Sequence, residues 1–233
     1  MNRTNLKVLA RLYVPQSVAN AIDDTALNLV LNEGALYVAL KTICLKANSV
    51  FTVTANTAEY NLNSVVTRFL VPDRSGLYWN AGTAATTNWK QIKPKTIEWL
   101  NKNYTNWRDA SSSNPQYSYI ESNILRLIPT PDTTLTGGFW FYFGQKPVAM
   151  TDDAHYPFGG ATEITHLSPL SECVLLYWRW KALDMLDKPE RATIAKQLME
   201  AEIVSRWNEI KKREDIFFSM DARLRGRNVP REG

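Results

Sequence analysis

The chain has 233 residues, 45% of them hydrophobic and 21% charged, and carries a net charge of +4. That length and composition suit one large or two small globular domains with a real core. They leave no transmembrane helix, since no apolar run approaches the roughly twenty residues that cross a bilayer, and because Arg11 interrupts Val8-Leu9-Ala10 no signal peptide is read, so cytosolic synthesis is expected.

Residues 1–17 hold Leu6, Val8, Leu9, Leu12 and Val14 and then Pro15, without a sustained period, and read as a lead-in or arm. Asp23 or Asp24 caps a long helix that runs to about Ala47. Its apolar residues fall on three faces: Ile22, Ala26, Leu29, Leu36, Leu40 and Ile43 on one, Val30, Tyr37 and Cys44 on another, Leu27, Leu31, Val38 and Leu45 on the third. Such a helix has to be covered on most sides, by its own bundle or by neighbouring subunits.

From Ser49 the period changes to two. Val50–Thr54 and Glu59–Leu62, around a turn at Ala55–Ala58, predict a β-hairpin. Val65–Val71 predicts a strand, turned at Pro72–Gly76 into Leu77-Tyr78-Trp79, and Asn80–Asn88 is small and polar, an exposed loop. Trp89–Lys93 is a further strand, and Thr96 caps a short helix from Ile97 to Tyr104. Gln116–Ile120 and Ile124–Ile128, joined at Glu121-Ser122-Asn123, make the clearest hairpin. Gly138–Gly144, with five aromatics in succession, is a strand buried on both faces or lying at an interface.

After a long connection, Ser168-Pro169 opens a helix. Leu170, Val174, Trp178, Ala182 and Met185 recur at steps of four and three and predict a buried stripe. Lys188-Pro189 ends that helix and begins another to about Arg213, in which Ile194 and Leu198 start one stripe and Met199, Ile203, Trp207 and Ile210 form a second. The two fold back on each other, packing through Leu170, Val174, Trp178, Met185, Ile203, Trp207 and Ile210. From Lys211 to Gly233 seven basic residues face four acidic ones, so the basicity sits in the tail. There Ile216, Phe217, Phe218, Met220 and Leu224 lie among Arg223, Arg225 and Arg227, too few apolar groups for a core and too many for a solvated end. Gly226 and Pro230 argue against a regular helix near the end.

The expected fold class is α+β, with a helical bundle interrupted by an inserted antiparallel β module and followed by an extended C-terminal tail. Its divisions are a lead-in over 1–17, bundle helices over 18–48 and 168–214, a β module with one short helix over 49–150, a connection over 151–167 and an arm over 215–233.

No catalytic, metal or cofactor site is read. Only His155 and His166 are available, and Glu163-Ile164-Thr165-His166 has the spacing of half a di-iron site without its second copy. Cys44 and Cys173 read as core cysteines. Asp23-Asp24 and Asp152-Asp153 stand beside helix starts or turns, where they cap. No phosphate-binding or nucleophile-elbow motif occurs.

The capped first helix leads into Phe51–Leu62. Later come Pro115–Ile128 with the following Pro129-Thr130-Pro131-Asp132, the aromatic strand ending Gln145-Lys146-Pro147, and the helix pair with Trp178, Trp180, Ala182 and Leu183. This order, from roughly Asp23 to Arg213, resembles the head-to-tail adaptor (connector or ring) proteins of tailed bacteriophages. The resemblance implies a structural virion protein at the head–tail junction, in a homo-oligomeric ring of about twelve copies below the portal. Its partners would be the portal, the tail or further ring proteins, and genomic DNA passing through the channel without sequence-specific contact, with no membrane. The tail after Arg213 lies outside the resemblance; from its composition alone, Ile216, Phe217, Phe218, Met220, Arg223, Leu224, Arg225 and Arg227 are expected to dock on the portal or a neighbouring subunit. Two rivals remain open: a nucleic-acid-binding module using the basic tail and aromatic strand, and a tail-side ring or tail-completion protein.

Overall fold

The computed structural model describes residues 1–81 and 88–226, the side chains of Asn20, Arg74, Ser75 and residues 214–226 excepted. The chain divides into two compact units, a helical one of Met1–Cys44 with Pro147–Gly233 and a β one of Leu45–Lys146. Among the described residues there are seven helices, a curled seven-stranded sheet and a two-stranded ribbon, a mixed α+β architecture.

In the helical unit, α1 (Arg3–Leu12) and α2 (Gln16–Ala21) precede the long α3 (Asp24–Thr42). Where the sequence reads as an aperiodic lead-in, two helices form. Leu6, Ala10 and Val14 at steps of four are all buried, a stripe short enough to be hidden by the exposed Val8 and Leu12 between them. Asp23 caps α3, its carboxylate accepting from the Ala26 N–H at 2.7 Å. On the other side of the β insertion a 3-10 turn, Thr165–Leu170, leads into α6 (Ser171–Met185), so the α-helix starts later than Ser168. Asp187, at φ 53°, reverses the chain into α7.

Helix α7 spans Pro189–Gly226. The backbone is therefore helical through most of the stretch expected to be an extended arm. No glycine or proline interrupts 190–225, and methionine, alanine, leucine and arginine are good helix formers, so nothing in that stretch stops the helix.

Helix α6 is the centre of this unit, with Val174, Leu175, Tyr177, Trp178 and Ala182 all buried. It meets α3 at Gly34, where an added Cβ would stand 3.1 Å from the Tyr177 ring and 3.2 Å from Val174. Glycine in mid-helix costs about 0.5–1 kcal/mol relative to alanine, and here its missing side chain lets the two helices approach. It meets α7 through buried Ala192, Ala195, Met199, Ile203 and Ile210, with Glu172 and Arg206 paired at 2.9 Å.

In the β unit, β1 (Lys46–Val53), β2 (Glu59–Asn61), β3 (Phe69–Asn80), β4 (Trp89–Pro94), β6 (Tyr117–Glu121), β7 (Ile124–Ile128) and β9 (Leu135–Gln145) form the sheet in the order β1-β9-β3-β4-β6-β7-β2. The ribbon is β5 (Ser111–Ser112) with β8 (Thr130–Pro131). A short α4 (Leu62–Val65) follows β2, and α5 (Ile97–Asn103) is capped by Thr96. The expected hairpin between the first two strands is not made: β1 pairs with β9 and β2 with β7. They are instead the sheet's two edges, and curling brings them together, with Phe51 and Tyr60 rings 5.5 Å apart. The 117–128 hairpin is present as β6 and β7. The predicted strands on either side of Pro72–Gly76 are one bulged strand, β3. Most of the loop expected at Asn80–Asn88 lies outside the described residues.

One face of the curl encloses Phe51, Leu77, Trp79, Ile92, Leu125 and the Phe139, Phe141 and Phe143 of β9. A smaller core gathers Leu100, Trp107 and Ile128.

Candidate interaction surfaces

Several of the charged groups that could carry chemistry are taken up in structural bonds. Glu163 accepts from the Met1 amine at 2.9 Å while His166 is exposed, so their spacing gathers no site. Among the described residues no group of three His, Cys, Asp or Glu could hold a metal ion. Burial pushes the Cys173 thiol up to about 12, which removes it from thiolate chemistry. Asp152 caps Ala154. Its neighbour Asp153 accepts from Arg3 and Lys7, and Lys7 and Arg11 reach Asp24. This alternating chain of charges fastens α1. The Asp24 carboxyl is held below its ordinary range chiefly by Arg11 and then Lys7, and Asp153 chiefly by Lys7 and then Arg3.

The expected packing residues divide. Leu170, Val174 and Trp178 are fully buried, and Ile203 and Ile210 nearly so. Trp178 also donates its indole N–H to the Ala10 carbonyl at 2.8 Å. Met185, by contrast, is 61% exposed, because α6 ends there and the chain turns away before anything covers it. Trp207 is only half-buried, lining a groove with Lys41, Thr42, Ile203 and Val204 under the Lys211 ammonium. The stripe expected to start at Ile194 and Leu198 faces outward, at 57% and 60% exposed; α7 buries the positions beside it, Ala192, Ala195 and Met199.

Two apolar surfaces result on the helical unit. The first is the outer side of α3, where Leu29, Leu36 and Leu40 are exposed with Glu33 between them. Together with Glu33 they fall at steps of four, three and four, the spacing of a coiled-coil seam. Sequence reading found this face but not that it is the uncovered one; the interruption by Glu33 was the available signal. The second is a groove between the end of α1, α6 and α7, lined by Leu12, Tyr13, Leu183, Ile194 and Leu198 with Arg179 and Arg191 at its sides. Contiguous exposed apolar groups of this kind mark association surfaces.

The β unit has its own. Strand β9 is not buried on both faces: Trp140 and Tyr142 are half-buried on the side away from the core. Trp140 stacks with Tyr142 at 5.5 Å and meets Trp89 edge-on, while Tyr78 meets Tyr142 edge-on. The Trp140 indole N–H is buried with no hydrogen-bond partner among the described residues.

Of the tail side chains expected to dock, Ile216, Phe217, Phe218, Met220, Arg223, Leu224 and Arg225 lie on the helical backbone of α7. Their side chains, and the whole of Arg227, lie outside the described residues. No helix among those described is long and apolar enough to cross a membrane.

No curated protein matches the chain. A family model described as "SU10 adaptor protein" does, over residues 1–227.

Proposed function

The chain belongs to the SU10 adaptor protein family, and from that premise we propose that it is a structural virion protein of a tailed bacteriophage, an adaptor at the head–tail junction whose copies form a ring below the portal. The ring extends the DNA channel and gives the tail its platform. About twelve copies surround DNA that passes without sequence-specific contact. Its role is structural rather than catalytic, and its partners are the portal and tail or further ring proteins.

The observation that carries this reading is the family match, which takes in both units from residue 1 to residue 227. The exposed leucines of α3 and the groove beside α7 support it, because a subunit with neighbours on its flanks needs surfaces a monomer would bury. We further propose that the apolar and arginine side chains from Ile216 to Arg227 dock on the portal or an adjacent subunit, with many copies acting together.

The test is the mass of the purified chain with and without portal, together with its position in a virion reconstruction. A ring seated against the portal is expected; a stable monomer indifferent to portal, or a position away from the head–tail junction, refutes the reading. Removing residues 216–233 should leave the fold and abolish incorporation into particles.

The outer aromatic patch of the sheet favours one second reading, in which Trp89, Trp140 and Tyr142 stack on nucleic acid. That reading requires binding that weakens steeply with salt and is lost in Trp140→Ala.

A further inference from the structure

The two apolar surfaces of the helical unit carry opposite charges. The outer stripe of α3 holds one ionisable group, Glu33, among its leucines, whereas the groove is flanked by Arg179 and Arg191. All three are exposed, and among the described residues none forms an ion pair.

We propose that the outer stripe of α3 in one copy seats in the α1–α6–α7 groove of a second copy of this chain, with Glu33 meeting Arg179 and Arg191. The proposal rests on the reading of the chain as a ring subunit and names the surfaces that join it. The alternatives within a homo-oligomer are disfavoured by charge. Stripe on stripe would set Glu33 near Glu33 at the centre of an apolar seam, and groove on groove would set arginines against arginines; like charges facing across an interface are costly. Only stripe in groove neutralises both.

Dimensions agree. Leu29 to Leu40 is three turns of helix, about 16 Å at about 1.5 Å per residue, and the groove offers Leu12 and Tyr13 on one wall and Ile194 and Leu198 on the other. The two surfaces share no residue, so the contact is head-to-tail. Such a contact leaves one free stripe and one free groove on every open chain of copies, and it ends only when the rotation closes a ring.

The experiment is a charge exchange in the full-length chain, read by mass photometry and sedimentation over a concentration series reaching the millimolar range. Glu33→Arg alone and Arg179→Glu/Arg191→Glu alone should each weaken self-association by about tenfold or more. Thermal melting should be unchanged, because the substituted side chains are exposed. An equimolar mixture of the two proteins should recover association, since each junction then pairs opposite charges, and so should the chain carrying all three substitutions. Association of Glu33→Arg equal to that of the unaltered chain, failure of the mixture to recover, or an unaltered chain that stays monomeric throughout overturns the proposal. Binding of the unaltered chain to portal is measured separately. Portal binding with no effect of the charge exchange removes this pairing and leaves the adaptor reading; rescue by exchange without portal binding does the reverse.

Discussion

Replacing Trp178 by alanine probes the helical unit where it is most deeply closed. The side chain is fully buried and its N–H donates to the Ala10 carbonyl, so it holds α1 to α6 by area and by hydrogen bond. An indole covers about 200 Å², which at about 25 cal/mol per Å² corresponds to about 5 kcal/mol. The methyl group alanine retains and partial collapse of the site bring the expected loss to about 3–5 kcal/mol. Trp178→Phe separates the two contributions. It keeps most of the area and removes the donor, leaving the Ala10 carbonyl, among the described residues, with the longer bond from the Tyr13 N–H at 3.3 Å, a loss of about 1–2 kcal/mol. Urea unfolding followed by circular dichroism measures both, and hydrogen exchange should show amides of 6–13 losing protection first. A loss below about 1 kcal/mol for Trp178→Ala, or undiminished protection of α1, would refute this account of how α1 is held.

Gly34→Leu should lower the melting temperature by forcing α3 from α6, at a cost of about 1–3 kcal/mol or more. Phe141→Ala, in the core of the β unit, should cost about 3–5 kcal/mol, read as loss of exchange protection across β3 and β9. Acid should release α1 before the rest. Asp24 and Asp153 have carboxyl values depressed below the unfolded 3.8. Their contribution is therefore fully present above that pH and disappears as pH falls through the lower folded values. Exchange of α1 amides on a series descending past pH 3.8 tests this, and Lys7→Met should weaken the dependence. At the alkaline end, burial and then Glu200 raise Tyr37 to about 12, so its bond to Glu200 contributes fully below the unfolded value of 10 and is lost as pH rises toward 12; ultraviolet titration of the phenol follows it.

What the sequence made legible was local. Asp23 and Thr96 announce caps because a cap is decided within three residues, and 117–128 announces a hairpin because its turn and both strands adjoin. Partners at a distance left no such mark. Val50–Val53 and Glu59–Asn61 look like one hairpin, but β1 and β2 are each drawn to a strand further along the chain. Periodicity likewise shows that a face is apolar without showing what covers it: α3 has apolar residues all round, and only packing distinguishes buried Leu31 and Val38 from exposed Leu29 and Leu36. The same limit applies to α7, whose buried row lies one position beyond Ile194 and Leu198. The tail was misread for a different reason. Gly226 and Pro230 argue against a helix only near the end, and the expectation of an extended arm gave too little weight to the helix formers ahead of them, over which α7 continues to Gly226.

The β insertion begins and ends at the same place. Lys46 faces Gly144 across the β1–β9 ladder, and the Gln145 N–H donates to the Leu45 carbonyl at 2.7 Å. Entry and exit of a segment of about a hundred residues are thus zipped side by side into a single seam. A module joined in this way places little demand on its host beyond two adjacent attachment points. Over evolution it can be trimmed, enlarged or exchanged for another domain with neighbouring termini while the helices keep their own contacts. That seam gives the chain a socket for interchangeable parts.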